Sequence, residues 1–331
     1  MEQIGHTQAV NEPRPVSRGE AEDLRTSARE QVSDSRAGIF GPDSVTWKVN
    51  RESALFLGAG RAALMQLAHP WVAAALNQHS SLRNDPLARF HNTFRVVFTM
   101  IFGTLDQALA ASRYLFQLHT RVEGTIPEEV AGYAKGLHYE ANEVSALLWV
   151  YATLIDSALI AYESVLPPLS ANERETYYAE SKIIAALFGI PASALPVDWA
   201  EFEAYCQRML DSNSLGVNEM SREMARGILH GKGSWVPVPQ WYRDLTAAWL
   251  PERLREEFGL MYGTSQKENA ANAQAWLSRI YRQLSAHLRF VGPYQQAVSR
   301  LDGRPVGALT RAVNRFWIGQ PMMMFGDRGI L

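Results

Sequence analysis

The stretch that decides the fold lies at residues 170–191 and reads SANERETYYAESKIIAALFGIP. Ser170 and Glu173 have the spacing of a capping box, in which each side chain satisfies a backbone N–H at a helix start. Apolar residues then recur with a helical period, and Gly189 followed by Pro191 is typical of a helix end. The pattern predicts an α-helix that begins after Ser170 and ends at Gly189.

The same helical period extends along most of the chain, whereas alternating β-branched runs bounded by hairpin turns are scarce. Asp198 and Glu201 open another helix in the same way. We therefore predict an all-α protein that forms one large helical domain. Further helices are predicted at 20–33, 43–54, 56–78, 86–102, 105–122, 127–136, 143–165, 217–229, 251–262, 266–289 and 306–316.

Composition divides the chain into three segments. Residues 1–17 are polar, contain two prolines and lack the apolar core of a secretory signal, which predicts a disordered N-terminal lead. Residues 18–230 are expected to form the helical core. Residues 231–331 are expected to form a loop and C-terminal helices that pack on this core, with a hinge in the Pro-, Trp- and Gly-rich part at 231–241.

Charge and hydropathy exclude several kinds of partner. Lys and Arg total 32 against 34 for Asp and Glu, so no net positive field exists and no nucleic-acid partner is expected. The apolar run at 145–162 contains Asp156 and lacks flanking basic residues, which favours a buried helix over a membrane span. With the single Cys206 and no signal or span, a cytoplasmic location is expected. The oligomeric state stays open.

The eight histidines suggest a metal site, but patterns built from protein ligands alone are missing. A single cysteine excludes Cys-based zinc and iron–sulfur sites. The zinc motif H-E-x-x-H is absent, and no histidine has a glutamate three residues before it, as helical di-iron sites require. Haem remains compatible, because the porphyrin supplies four nitrogen ligands and one imidazole is then sufficient.

Residues 58–63 fit the G-x-G-x-x-A pattern of dinucleotide-binding folds. That fold needs a preceding strand and an acidic residue about 20 positions further on. The sequence after the glycines is helical, and the first acidic residue after Gly58 is Asp85, which is more than 20 positions away. We therefore interpret Gly58 and Gly60 as positions where helices start or pack closely.

His119 is the candidate iron ligand. The residues one and two turns before it form a mostly small, smooth face on which a flat macrocycle could lie: Leu115, Ser112, Ala111 and Ala108. Periodicity alone also allows a structural histidine near a helix end. Arg89 and Thr93 lie one turn apart, where they could hold a haem propionate or, alternatively, be a solvated arginine beside an inward threonine.

Several short motifs, taken in order, resemble the DUF2236 family, which joins the mycophenolic-acid pathway oxygenase B to the latex-clearing rubber oxygenases. They are LMQLAHP at 64–70, Arg89-x-x-x-Thr93, Leu118-His119, Tyr139-x-Ala141 and LWVYATL at 148–154. The resemblance implies an all-helical fold with a globin-like core and haem b as the iron cofactor. It also implies a reaction, the oxidative cleavage of a C=C bond in an apolar, isoprenoid-like small molecule by dioxygen.

By this resemblance His119 is the proximal iron ligand, Arg89 and Thr93 lie beside the haem, and His69 belongs to a His-Pro motif near the cofactor. His91 or Tyr151 is a further candidate, from residue type, for supplying a proton to bound oxygen.

Two positions depart from the rubber oxygenases. Asn92 stands where those enzymes have a lysine, and residues 71–76, WVAAAL, stand where they have a glutamate base. Two alternatives therefore stay open: a haem-binding or sensing protein without turnover, and a metal-free helical scaffold that binds an apolar ligand.

Overall fold

The computed structural model describes residues 14–79, 86–231 and 237–323. Within these ranges the chain is mostly helical, which confirms the predicted class. The α-helices are α1 Arg18–Glu30, α2 Val45–Asn50, α3 Ala59–Leu67, α4 Pro70–His79, α5 Pro86–Phe102, α6 Leu105–His119, α7 Val144–Val165, α8 Ala171–Phe188, α9 Trp199–Asp211, α10 Glu219–Leu229, α11 Gln240–Trp249, α12 Glu252–Glu257, α13 Thr264–Tyr281, α14 Ala286–Arg289, α15 Gly292–Leu301 and α16 Ala308–Ile318. Short 3-10 helices lie at Ser53–Leu57 and Ala192–Ala194.

Helix α8 begins and ends where the sequence predicts. The Ser170 hydroxyl accepts from the Glu173 backbone N–H, and the Glu173 carboxylate accepts from the Ser170 backbone N–H. Gly189 ends the helix with φ of +93°, a left-handed conformation that glycine adopts without strain. Loss of such an N-cap costs about 1 kcal/mol.

The predicted helix at 127–136 is wrong. This segment is irregular and lies inside a hairpin formed by β1 Glu123–Thr125 and antiparallel β2 His138–Glu140. Ala131 has φ of +52°, and the Gly132 backbone N–H donates to the Asn213 carbonyl. Pro127 and two glycines interrupt the segment, so tertiary hydrogen bonds override its weak helical period.

Two predicted helices are divided in the structure, and two observed helices were not predicted. The helix expected at 56–78 is divided into a 3-10 turn, α3 and α4, because Pro70 lacks the N–H that would continue the ladder. The one at 266–289 is divided between α13 and α14. Helices α11 and α15 fall where none was predicted: α11 follows Pro239, and α15 has Pro293 in its first turn.

The last four residues of the predicted N-terminal lead, 14–17, form backbone hydrogen bonds with the segment between β2 and α7. The Val16 backbone N–H donates to the Asn142 carbonyl at 2.8 Å, and the Val144 N–H donates to the Arg14 carbonyl at 3.1 Å. Val16 is buried. Residues 1–13 and the hinge residues 232–236 lie outside the described ranges.

Helix α7 is the central helix of the core. It is long and apolar enough to cross a membrane by composition, with a mean hydropathy of 1.8, and is the single such helix within the described ranges; 61% of that stretch is buried inside the protein. The Trp149 indole N–H donates to the Met65 carbonyl, and Asp156 forms an ion pair with Arg61 at 2.7 Å. These contacts are those of a helix packed among protein helices.

Helices α5 and α6 form an antiparallel hairpin joined at Gly103 and Thr104. Thr104 caps α6, and a Cβ added at Gly103 would lie 2.4 Å from the Thr99 carbonyl oxygen, so the tight turn requires glycine there. One face of α5 carries a row of rings that pack into the core: Phe90, Phe94, Phe98 and Phe102. The hairpin therefore brings the first turns of α5 beside the end of α6.

Candidate functional site

His119 is the last residue of α6, and the hairpin places it near Arg89 in the first turn of α5. Burial and, to a smaller extent, the positive charge of Arg89 lower the pKa of His119 to about 4, while a hydrogen bond with the Asn142 side chain acts in the opposite direction. The imidazole is therefore neutral at pH 7. A neutral imidazole is the form that binds a metal ion.

The Nδ1 atom of His119 is buried and makes no hydrogen bond of ordinary geometry, although the Asn142 side chain is near enough to act on the ring. Buried polar atoms in folded proteins are nearly always paired, and an unpaired one is frequently found at a functional site. The Oδ1 atom of Asn142, beside this histidine, is also buried and unpaired. The two atoms belong to residues that line the same cavity.

Arg89 is a cation in a largely apolar environment. Burial lowers its pKa, and Tyr114 of α6 acts in the opposite direction. No carboxylate forms an ion pair with Arg89 among the residues that the structure describes. A half-buried guanidinium without a counter-ion favours an anionic ligand, because a carboxylate would restore the missing pairing.

Thr93 lies one turn after Arg89, as predicted, but its hydroxyl donates to the Arg89 carbonyl at 3.0 Å. Asn92, which stands where the rubber oxygenases have lysine, accepts from Arg95 on its own helix. Both side chains therefore make contacts within α5.

A small cavity lies beside His119, with a volume of about 130 Å³. Its walls come from the N-terminal segment, the end of α6 and the hairpin: Pro15, Val16, Thr120, Val122, Glu123, Glu140 and Asn142. Pockets that bind ordinary small molecules measure roughly 300–1,000 Å³. A larger ligand on this side of the ring would have to displace the N-terminal segment or the hairpin.

His69 occupies a different environment, at the break between α3 and α4. Its ring lies among two aromatic rings, with the centroid of Tyr133 at 5.6 Å and that of Trp71 at 6.1 Å. Its Nε2 is 3.4 Å from the Tyr133 hydroxyl, and its Nδ1 and the Trp71 Nε1 are buried without partners. Burial lowers the pKa of His69 to about 4 and raises that of Tyr133 to about 12.

The two predicted proton donors lie against other elements. The Nε2 of His91 is 3.0 Å from the Phe316 carbonyl of α16. The Tyr151 hydroxyl is 2.6 Å from the Ser181 hydroxyl of α8, and burial raises the pKa of Tyr151. These partners lie on α16 and α8, and the catalytic role of both residues stays a prediction.

The glycine motif at 58–63 serves helix packing. A Cβ added at Gly58 would lie 2.5 Å from the Ser157 carbonyl oxygen of α7, and one added at Gly60 would lie 2.7 Å from the Thr246 hydroxyl of α11. The Gly60 N–H also donates to the Tyr242 hydroxyl. These helices occupy the space that a pyrophosphate would need, which confirms the interpretation as a packing motif.

Sequence reasoning missed two residues of this site, Asn142 and Tyr114. Asn142 directly follows the Tyr139-x-Ala141 motif, so its position was a usable signal, but no local pattern indicates that it approaches a residue of α6.

No group of three or more His, Cys, Asp or Glu side chains within residues 14–79, 86–231 and 237–323 is arranged to hold a metal ion.

One comparison with known proteins gives a match. The family described as ER-bound oxygenase mpaB/B'/Rubber oxygenase, catalytic domain, matches residues 47–314, which include α3 to α15 and most of α16. No curated protein and no solved structure is significantly similar to this chain.

Proposed function

Since this chain belongs to the family of mpaB and rubber oxygenase catalytic domains, we propose that it is a haem b-dependent oxygenase whose iron ligand is His119. The observation that carries the proposal is a neutral, half-buried imidazole at the end of α6 beside the cation Arg89, which forms no ion pair with the described residues. This combination suits haem, because haem iron can take one imidazole from the protein and the propionates are anions.

The chemistry of these residues fits haem. When bound, haem supplies an iron centre at which dioxygen can react. His119 donates a lone pair without first losing a proton, because its pKa is far below 7. Arg89 pairs with a propionate, and Tyr114 stands beside that guanidinium. The Phe row on α5 and the apolar residues of α7 exclude water from the neighbouring core.

Binding of a porphyrin requires some rearrangement on the cavity side, because about 130 Å³ is too small for it. The N-terminal segment is the simplest part to move, since two backbone hydrogen bonds hold it to residues 142–144. A globin-like arrangement of the helices around the cofactor is part of the proposal.

The proposed reaction is the dioxygen-dependent cleavage of a C=C bond in an apolar, isoprenoid-like small molecule in the cytoplasm. The absence of the glutamate base of the rubber oxygenases affects the mechanism of this reaction. Ala73 and Ala74 are fully buried in α4, in the stretch where the rubber oxygenases have a glutamate base. Any proton transfer would then depend on another group, for which His91 and Tyr151 are the candidates.

Haem reconstitution tests this proposal. We expect purified protein to take up one haem and show a Soret band, and His119→Ala to lose or shift that band. His138→Ala is the matched control, because His138 is an exposed histidine on the hairpin. An unchanged spectrum in His119→Ala would overturn the ligand assignment.

The missing glutamate favours one alternative function, a haem-binding or sensing protein without turnover. Oxygen consumption separates the two. Haem-loaded protein supplied with a C35 polyprene is expected to consume dioxygen and release carbonyl products. A stable Soret band without oxygen uptake on any polyprene would favour the sensor. Protein that stays colourless with added haem would contradict both.

A further inference from the structure

Asn142 lies between β2 and α7 and is held on two sides. Its backbone carbonyl accepts from the Val16 N–H at 2.8 Å, and its side-chain Nδ2 donates to the Phe116 carbonyl of α6 at 3.4 Å. The bond from Nδ2 fixes the orientation of the amide. The opposite amide atom, Oδ1, is then left buried without a partner.

Phe116 lies one turn before His119, so the same helix end that holds the Asn142 amide also carries the imidazole. His119 and Asn142 line one cavity, and the Asn142 side chain is near enough to act on the His119 ring as a hydrogen-bond partner. Nδ1 is the buried His119 atom without a partner of ordinary geometry. An amide oxygen can only accept a hydrogen bond, whereas one ring nitrogen of a neutral imidazole donates. Leaving both atoms unpaired is costly.

We propose that Asn142 is a positioning residue for His119: its Oδ1 accepts from the Nδ1–H of the imidazole. This bond fixes the Nδ1–H tautomer and leaves the lone pair on Nε2, the nitrogen that would face a metal. The role of Nε2 as an iron ligand rests on the proposed function, but the tautomer does not.

The choice of an amide has a chemical consequence. A carboxylate at this position would pull on the Nδ1 proton and add negative charge, which makes the imidazole a stronger donor. A neutral amide orients the ring with little of that effect. Asn142 would therefore hold the ring in place while keeping the reduction potential of a bound iron higher than an aspartate would.

The tautomer can be measured without haem. In ¹⁵N-labelled protein at pH 8, where imidazole is neutral, long-range ¹H–¹⁵N correlation distinguishes Nδ1–H from Nε2–H, and His119→Gln assigns the signals. We expect Nδ1–H in the unaltered protein and a shift toward Nε2–H in Asn142→Leu. Glu140→Gln, which changes another wall of the same cavity, should leave the tautomer unchanged. An Nε2–H tautomer in the unaltered protein overturns the proposal.

A second measurement uses haem-loaded protein. We expect Asn142→Asp to lower the Fe(III)/Fe(II) potential and Asn142→Leu to raise it, with haem affinity reduced about 10- to 100-fold in Asn142→Leu. A purely structural role would shift both potentials in the same direction or not at all, and either result counts against the proposal. Circular dichroism confirms that each variant is folded.

The two proposals fail in different ways. If His119→Ala keeps the Soret band, the iron-ligand assignment fails while the tautomer measurement still decides the role of Asn142. If His119→Ala loses the band and Asn142→Leu leaves both tautomer and potential unchanged, only the positioning role fails.

Discussion

The two histidines His69 and His119 share the properties most frequently used to find a functional imidazole. Burial lowers the pKa of each to about 4, and each has a buried, unpaired Nδ1. Their neighbours differ. His69 lies among the rings of Tyr133 and Trp71, whereas His119 lies beside the cation Arg89 and a small cavity. Burial and pKa therefore do not distinguish the two histidines, but the charge of their neighbours does.

The largest expected difference between the two concerns haem. His119→Ala should lose or shift the Soret band, because the proposed iron ligand is removed. His69→Ala should keep the band, since the His69 contacts are with aromatic rings. Spectrophotometric haem titration of both variants measures the difference. Loss of the band in His69→Ala alone would reverse the assignment.

The next effect is the dependence of stability on pH. A folded-state pKa of about 4 lies below the ordinary value of 6.5, so between these values the unfolded chain binds the proton and the folded protein does not. The contribution of the neutral histidine to the free energy of unfolding is therefore fully present above pH 6.5 and is lost as the pH falls toward 4. For His69, which is 1% exposed, the loss is on the order of 3 kcal/mol.

Urea unfolding of the haem-free protein between pH 7 and 4 checks this dependence. His69→Leu should flatten the pH profile more than His119→Leu, because His119 is less deeply buried. Equal slopes in the unaltered protein and in His69→Leu would show that other groups cause the pH dependence.

A smaller effect is expected for Arg89. In Arg89→Leu the pKa of His119 should rise, since a nearby positive charge is removed, and haem affinity should fall about tenfold with the loss of one charge-assisted pair. An NMR titration of the His119 imidazole measures its pKa, and a spectrophotometric haem titration measures the haem affinity. Arg113→Leu is the control, because Arg113 is an exposed arginine on α6. Unchanged haem affinity in Arg89→Leu would remove the proposed propionate contact.

The smallest effect concerns the aromatic surroundings of His69. Tyr133→Phe removes a hydroxyl that lies 3.4 Å from His69 Nε2 and keeps the ring packing. We expect a loss of about 1 kcal/mol in the free energy of unfolding, with haem uptake unchanged. Urea unfolding measures the change in the free energy of unfolding, and the Soret band measures haem uptake. Reduced haem uptake would connect the His69 cluster with the cofactor.

Local patterns predicted much of the fold. Helices α5, α6, α7 and α8 lie close to where periodicity and capping residues placed them, because these signals act within one or two turns. The hairpin at 123–140 was missed. Its strands are three residues each, and their pairing and the turn between them depend on contacts such as Gly132 with Asn213, far along the chain.

The candidate site shows the same division. Sequence indicated His119, Arg89 and Thr93 as separate short motifs, and the α5–α6 hairpin brings the first two together. It did not indicate Asn142, because an asparagine between a strand and a helix has many structural uses. Thr93 had the expected spacing, but its hydroxyl bonds to its own helix.

The sequence by itself determined the helical class, the ends of the main helices and the absence of a site built from cysteines or from a recognisable multi-histidine motif. Residue type and short spacing are sufficient for those conclusions. Only the tertiary structure decided which of the histidines lies beside a cation without a described counter-ion and beside the amide of Asn142. Arg89, His119 and Asn142 are separated by more than twenty residues each, so their contacts arise from helix and hairpin packing, which no local pattern specifies.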